Sequence, residues 1–173
     1  MAILNKEEFG PDRFFSGGTT QLIDRPINGS DEDALYQSER FGNVQYEIPV
    51  SNANYTLVLH FAELYQSAES TRTFNVSVEN KAVLNSLDLF KQVGRDSAFS
   101  YRLENLAVTD GSLSIALNTL TDNATISGIA VYSNNGGKLV EPVTPPTAKS
   151  VDINRYDGAR ETTVLNAEKT GTR

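Results

Sequence analysis

Apolar and polar residues alternate at a period of two along much of the chain. Thr73-Phe-Asn-Val-Ser-Val78 places Phe74, Val76 and Val78 on one face, the pattern of a half-buried strand. Phe99, Tyr101 and Leu103 alternate in the same way, and Gln45–Val50 mixes alternation with a Pro near its end. Tyr55-Thr-Leu-Val-Leu-His-Phe-Ala62 is apolar on both faces, which predicts a strand covered on both sides. Leu113–Leu117 and Thr125–Tyr132 complete the set. Turn signals separate these runs at Pro49/Asn52–Asn54, Glu79-Asn80, Gly94 and Asp110-Gly111. Short strands at this spacing predict an all-β, antiparallel sandwich or barrel. Helical periodicity is nearly absent. Asp31–Arg40 has room for one turn, capped by Asp31 or Asp33. Ser16-Gly-Gly-Thr-Thr20 reads as a turn; no Lys follows it and no strand–helix unit surrounds it, so it is not a phosphate loop.

The pattern stops after Tyr132. Ser133-Asn-Asn-Gly-Gly137 is a turn cluster, and Glu141-Pro-Val-Thr-Pro-Pro-Thr147 follows. Proline at this density favours an extended linker. The 173 residues therefore divide into a sandwich over 1–137 and a Pro-containing tail over 138–173. The tail either leads into a next module or adds a strand to the sandwich edge. Val151–Asn154 and Thr162–Asn166 are the candidate strands, with the short segment Ile3–Asn5 as a neighbour.

Charge narrows the partners. Residues 1–137 hold 9 Lys/Arg against 17 Asp/Glu, a net of −8, while 138–173 hold 6 against 5, a net of +1. An acidic body repels phosphate backbones and anionic lipid, so neither nucleic acid nor a membrane surface is an expected partner. No apolar run approaches the roughly 20 residues that span a bilayer, and the N-terminal residues show no signal-peptide pattern.

Composition removes most catalytic chemistry. There is no Cys, a single His and no Trp. Thiol nucleophiles and Cys-ligated metals are excluded. A Ser/His/Asp triad would need His60, which sits mid-strand among apolar residues and reads as structural. No Gly-x-Ser-x-Gly elbow precedes a helix. The run Asp152–Gly158 approaches a Ca²⁺-binding loop, but its acidic residue and Gly arrive one position late and Thr163 stands where the loop needs Glu. Asp24–Asp33 is a denser oxygen source and a candidate for a structural Ca²⁺; no other cofactor is expected. Four sequons, at Asn28, Asn54, Asn75 and Asn123, matter only in a eukaryotic secretory setting.

The informative pattern is a set of aromatics beside amides and carboxylates at strand ends. It comprises Phe14/Phe15, Tyr36-Gln37, Glu39-Arg40-Phe41, Glu63-Leu-Tyr65-Gln66 and Asp122-Asn123. Sugars bind by stacking C–H faces on rings while carboxylates and amides take the hydroxyls. The plainer alternative for Tyr36 and Phe41 is the sandwich core. Tyr65 resists that alternative, because it follows a strand end among polar residues.

These residues carry a family resemblance. Leu35–Gly42, Tyr46–Val50 and Tyr55–Glu63 closely resemble the malectin domain, as do Arg72–Val76, Asp88–Phe90, Val93-Gly94, Val108–Ser114 and Ile126–Ile129. Asp12-Arg-Phe-Phe-Ser-Gly-Gly18 is similar to the early segment of that family. The order and spacing hold over about residues 3–133. The resemblance implies a jelly-roll β-sandwich whose loops bind carbohydrate, an α-linked glucose disaccharide in the family's namesake. Tyr65 matches one binding aromatic and Asp122 the binding carboxylate. Phe41 stands where the family has Tyr, and Gln66 replaces a second ring. Phe15 is the nearest counterpart of an early-loop Tyr.

The expectation is a non-catalytic carbohydrate-binding module within a larger secreted or surface protein. Tyr65 and Phe41 would stack on sugar, Asp122 would accept hydroxyls, and Gln66, Glu39, Phe15 and Tyr36 would assist. The alternative is a structural or protein-interaction module of a surface adhesin. A glycosidase comes third and needs two carboxylates facing each other across a cleft. Sugar binding requires Phe41, Tyr65 and Asp122 to meet at one open concavity.

Overall fold

A computed structural model of the chain describes residues 9–140 and the backbone of residues 160–161. The elements run β1 (Phe15–Leu22), α1 (Asp33–Tyr36), β2 (Ser38–Pro49), β3 (Ala53–Ala62), β4 (Thr73–Val78) and β5 (Lys81–Leu87). Then follow α2 (Leu89–Val93), β6 (Ala98–Val108), β7 (Ser112–Thr121), β8 (Thr125–Ile126), β9 (Gly128–Ser133) and β10 (Arg160–Glu161). One sheet has the order β1-β2-β7-β4-β5, with β8 beside β2; the other has the order β10-β9-β3-β6. Every pairing is antiparallel except β10 on β9, which is parallel. The molecule is a β-sandwich, as the period-two pattern requires.

Alternation decides what lies between the sheets. Tyr46, Ile48, Phe74, Val76, Ile115 and Leu117 come from the first sheet. Tyr55, Leu57, Leu59, Phe61, Ile129 and Val131 meet them from the second. Phe61 stacks against both Phe74 and Phe99, with centroids 6.0 and 6.1 Å away. The other face of β3 is covered too. Ile27, Leu35, Tyr36, Ala62 and Leu64 form a second, smaller core outside the sheet. That cover explains why Tyr55–Ala62 is apolar on both faces.

Several local expectations need correction. Ser16–Thr20 is not a turn; it lies inside β1. Gly17 and Gly18 both have positive φ, and the register with β2 slips between Gly17 and Thr19. A bulge at paired glycines removes the alternation that marks a strand. A Cβ on Gly17 would stand 2.5 Å from the Asn43 carbonyl oxygen, so glycine is required there. β5 and α2 have no period-two or helical stripe. β5 is an edge strand with mostly exposed residues, and α2 is one turn capped by the Asp88 carboxylate on the Lys91 N–H. The cap position of α1 is Glu32, not Asp31 or Asp33, and no side chain caps it.

The turn predictions at Glu79-Asn80 and Asp110-Gly111 correspond to turns: the first closes the β4–β5 hairpin, and the second lies where the chain crosses from β6 in one sheet to β7 in the other. Glu79 and Asn80 both have positive φ, as a two-residue β4–β5 connection of this twist demands. Residues after 137 still hold to the body: Lys138 accepts from the Ser51 N–H, and Val140 donates to Pro49. The proposed strands at Ile3–Asn5, Val151–Asn154 and Thr162–Asn166 lie outside the described residues.

Candidate functional site

β2 supplies one wall of the site. Glu39 and Phe41 are two residues apart on the strand, so they share a face. Register sets their neighbours: Gln21 of β1 lies opposite Glu39, and Thr125 of β8 lies opposite Phe41. The Thr125 hydroxyl donates to Glu39 Oε2. Glu39 is 1% exposed, and burial pushes its carboxyl above the usual carboxylate range, against the Thr125 hydrogen bond and the charge of Arg72.

The loop after β3 supplies the aromatic. Glu63 is fully buried. Its Oε1 accepts from the N–H groups of Tyr65 and Gln66, at 3.0 and 2.8 Å. That carboxylate folds the chain into a tight turn and leaves the Tyr65 ring 65% exposed. Arg72 enters just before β4, beneath this loop. Its Nε lies 2.8 Å from Glu63 Oε2; the contact is a charge pair without aligned hydrogen-bond geometry. Arg72 Nη1 donates to the Asn123 carbonyl, and Nη2 lies 3.9 Å from Asp122 Oδ2.

The β7–β8 connection supplies the third wall. Asp122 has φ +52, a left-handed conformation that Asp tolerates better than most residues. Its Oδ2 accepts from Gln66 Nε2 at 2.7 Å and its Oδ1 from Asn123 Nδ2 at 3.2 Å.

These walls enclose a concavity of about 210 Å³. Phe41, Tyr65, Asp122 and Glu39 all line it, and Gln66 reaches its rim through Asp122. Arg72, Gln21 and Asn123 complete the lining. Among the lining carboxylates only Asp122 is open to a ligand, with its side chain 33% exposed.

Two expected site residues lie elsewhere. Phe15 is opposite Tyr46, far along the β1–β2 ladder from Gln21 and Glu39. Its ring faces the Arg40 guanidinium at 3.4 Å, beside a separate recess with Asp12 and Thr19. Tyr36 ends α1 and turns inward, its hydroxyl 2.8 Å from His60 Nδ1. It belongs to the second core, the plainer alternative weighed from the sequence.

The lining residues given no binding role from the sequence are Arg72, Gln21 and Asn123, the last of which stood beside Asp122 in the aromatic and amide pattern. Arg72 had a signal, a lone cation at the head of an apolar strand among acidic segments. Gln21 had none, because the bulge hides β1. Within Asp24–Asp33, the Arg25 guanidinium grips Asp96 at 2.8 and 3.0 Å and the Leu64 carbonyl at 2.6 Å. Among the described residues no three His, Cys, Asp or Glu side chains converge as a metal site needs, and no helix is long and apolar enough to cross a membrane.

Fold and site together define a β-sandwich carrying an aromatic and carboxylate pocket on its loops. The comparisons give the family: residues 1–136 match the Malectin domain. The chain belongs to that family. Malectin-A of Xenopus laevis is 30% identical over 110 residues, covering 61% of this chain and 40% of that protein. The Kinesin-like protein KIN-14Q of Arabidopsis thaliana is 32% identical over 164 residues, covering 93% of this chain and 13% of that protein. The chain thus spans well under two thirds of either relative. Among solved structures, Bacteroides uniformis beta-glucuronidase superposes with a TM-score of 0.58 at 17% identity, over 68% of this chain and 14% of that one. The ANXUR1 extracellular domain from Arabidopsis thaliana gives 0.57 at 15%, over 65% and 37%. At those identities both show a common fold.

Proposed function

We propose that this chain is a non-catalytic carbohydrate-binding module, of 1–137 with a connecting tail, within a larger secreted or surface protein. Its ligand is a gluco-oligosaccharide. The observation that carries this reading is the meeting of Tyr65, Phe41 and Asp122 at one open concavity. Tyr65 and Phe41 offer rings for the C–H faces of a pyranose, and Asp122 offers acceptors for its hydroxyls. The non-catalytic part of the reading is supported by the carboxylates. Glu63 and Glu39 are sealed by the protein, so only Asp122 can face a glycosidic bond, and a glycosidase needs two. The match to the malectin family supports the ligand class.

Titration with α-linked glucobioses by calorimetry tests the reading. Affinity in the millimolar to micromolar range is expected, in keeping with two rings and few polar contacts. Tyr65→Ala should weaken it at least tenfold while leaving the unfolding midpoint in place, because the ring is largely exposed. Silence across α- and β-glucans sinks the proposal.

One observation favours a second reading. Gln66 Nε2 already occupies Asp122 Oδ2, where the family resemblance implies a second ring. A pocket closed in this way would suit a structural or protein-interaction module, which predicts no sugar response and no effect of Tyr65→Ala on any weak binding.

A further inference from the structure

The base of the pocket is unusual in its charges. Three carboxylates, Glu39, Glu63 and Asp122, surround one guanidinium, that of Arg72. Arg72 lines the cavity yet is 3% exposed. Sites that bind acidic sugars present a guanidinium whose fork is free to grip the carboxylate through two parallel N–H bonds. Each nitrogen of the Arg72 fork already faces a protein oxygen, Nη1 as a hydrogen-bond donor and Nε and Nη2 as charge contacts. Nε faces Glu63 Oε2 at 2.8 Å, Nη1 donates to the Asn123 carbonyl, and Nη2 points toward Asp122 Oδ2 at 3.9 Å.

We propose that Arg72 is a specificity-determining residue of the pocket: with its guanidinium committed to Glu63, Asn123 and Asp122, the site admits uncharged pyranosides and rejects uronates. The inference rests on the carbohydrate-binding reading and sharpens its ligand class. No other Arg or Lys among the described residues lines the cavity. Arg40 is next along β2, but it is held by Asp12 and by the Gly17 and Gly18 carbonyls. An incoming carboxylate would instead meet the partly exposed Asp122, a like charge at short range. Hydroxyl groups suit the same wall, since Asp122 accepts and the amides of Gln21 and Asn123 can donate.

The test is a pair of matched disaccharides, maltose and its analogue with glucuronic acid as the non-reducing unit, titrated at one pH and salt. The wild-type protein should bind maltose at least tenfold more tightly. Asp122→Asn removes the repulsion, and Glu63→Gln releases Nε of Arg72; each should shift the uronate-to-neutral affinity ratio several-fold toward the uronate. The ratio is the readout, because Asp122 also contributes to binding itself. If Glu63→Gln does not fold, Asp122→Asn carries the measurement alone. Equal or tighter uronate binding by the wild type, or an unmoved ratio in the folded variants, overturns the proposal. Uronate binding without maltose binding refutes this inference and leaves carbohydrate binding intact. Binding of neither overturns this inference, and the titrations across α- and β-glucans then decide whether carbohydrate binding falls with it.

Discussion

Glu63→Ala should lower the unfolding free energy by about 3–5 kcal/mol in a urea titration, the usual cost of leaving one member of a buried ion pair alone. Both partners are sealed, Glu63 at 0% and Arg72 at 3% exposure. Removing the carboxylate strands a guanidinium in a low-dielectric site and releases two backbone N–H groups, those of Tyr65 and Gln66. Arg72→Met should cost a comparable amount for the mirror-image reason. The pair Glu63→Leu and Arg72→Met, made together, should cost clearly less than the sum of the single changes, because neither charge is then left behind. Single changes below 1 kcal/mol, or strict additivity, would show that the pair does not hold the loops. The consequence reaches function. Glu63 shapes the loop that presents Tyr65, while Arg72 holds the loop that presents Asp122. Their contact fixes the spacing between ring and carboxylate, so stability and ligand geometry share one buried connection.

That connection also shows where sequence reasoning stopped. The strands with clean alternation were legible: β4, β6 and β7 fall where period-two runs place them, and β3 falls on the run apolar on both faces, whereas Thr125–Tyr132, expected as one strand, divides into β8 and β9 on different sheets. So were the β4–β5 hairpin marked by Glu79-Asn80 and the sheet-to-sheet turn marked by Asp110-Gly111. β1 was not, because Gly17-Gly18 sits at a bulge and an edge strand open on both faces carries no apolar stripe. Four site residues, Tyr65, Phe41, Asp122 and Glu39, were recognisable from residue type at strand ends, and they do line one cavity. Phe15 and Tyr36 have the same residue types and lie elsewhere. What separates them is register and the direction of α1, which depend on long-range pairing. Arg72 escaped because its importance comes from three partners, Glu63, Asp122 and Asn123, that are distant in the chain. The lone cation at the head of β4 was visible in the sequence, but its burial among those partners shows only once the strands are paired.

His60 supplies the second large expected effect, on stability as a function of pH. The imidazole lies on the outer face of β3. Tyr36 Oη meets Nδ1 at 2.8 Å, and the rings of Phe9 and Tyr36 stand edge-on to it. Its strand neighbours are Ser100 and Gly128, so no carboxylate on β6 or β9 faces it. Nε2 is buried without a hydrogen-bond partner among the described residues. Burial pushes the imidazole down from 6.5 to about 4. The unfolded chain therefore binds a proton below pH 6.5 that the native state refuses until near pH 4. Stability due to the neutral imidazole is complete above pH 6.5 and is lost as pH falls through that window, at up to about 1.4 kcal/mol per pH unit. The full loss is about 3 kcal/mol. Glu39 and Asp12 act in the opposite sense, since burial raises both carboxyls and protonation favours their native forms. The wild-type curve alone mixes these effects. Comparison with His60→Gln separates them, because glutamine retains a polar group for the Tyr36 hydroxyl and has no proton to bind. The stability difference between the two proteins, from urea titrations at pH 7.5, 6, 5 and 4, should shift steadily against the wild type as pH falls. A difference that stays flat would mean that the native imidazole takes up its proton as readily as the unfolded one, and that the covering of β3 by Phe9 and Tyr36 is open to water.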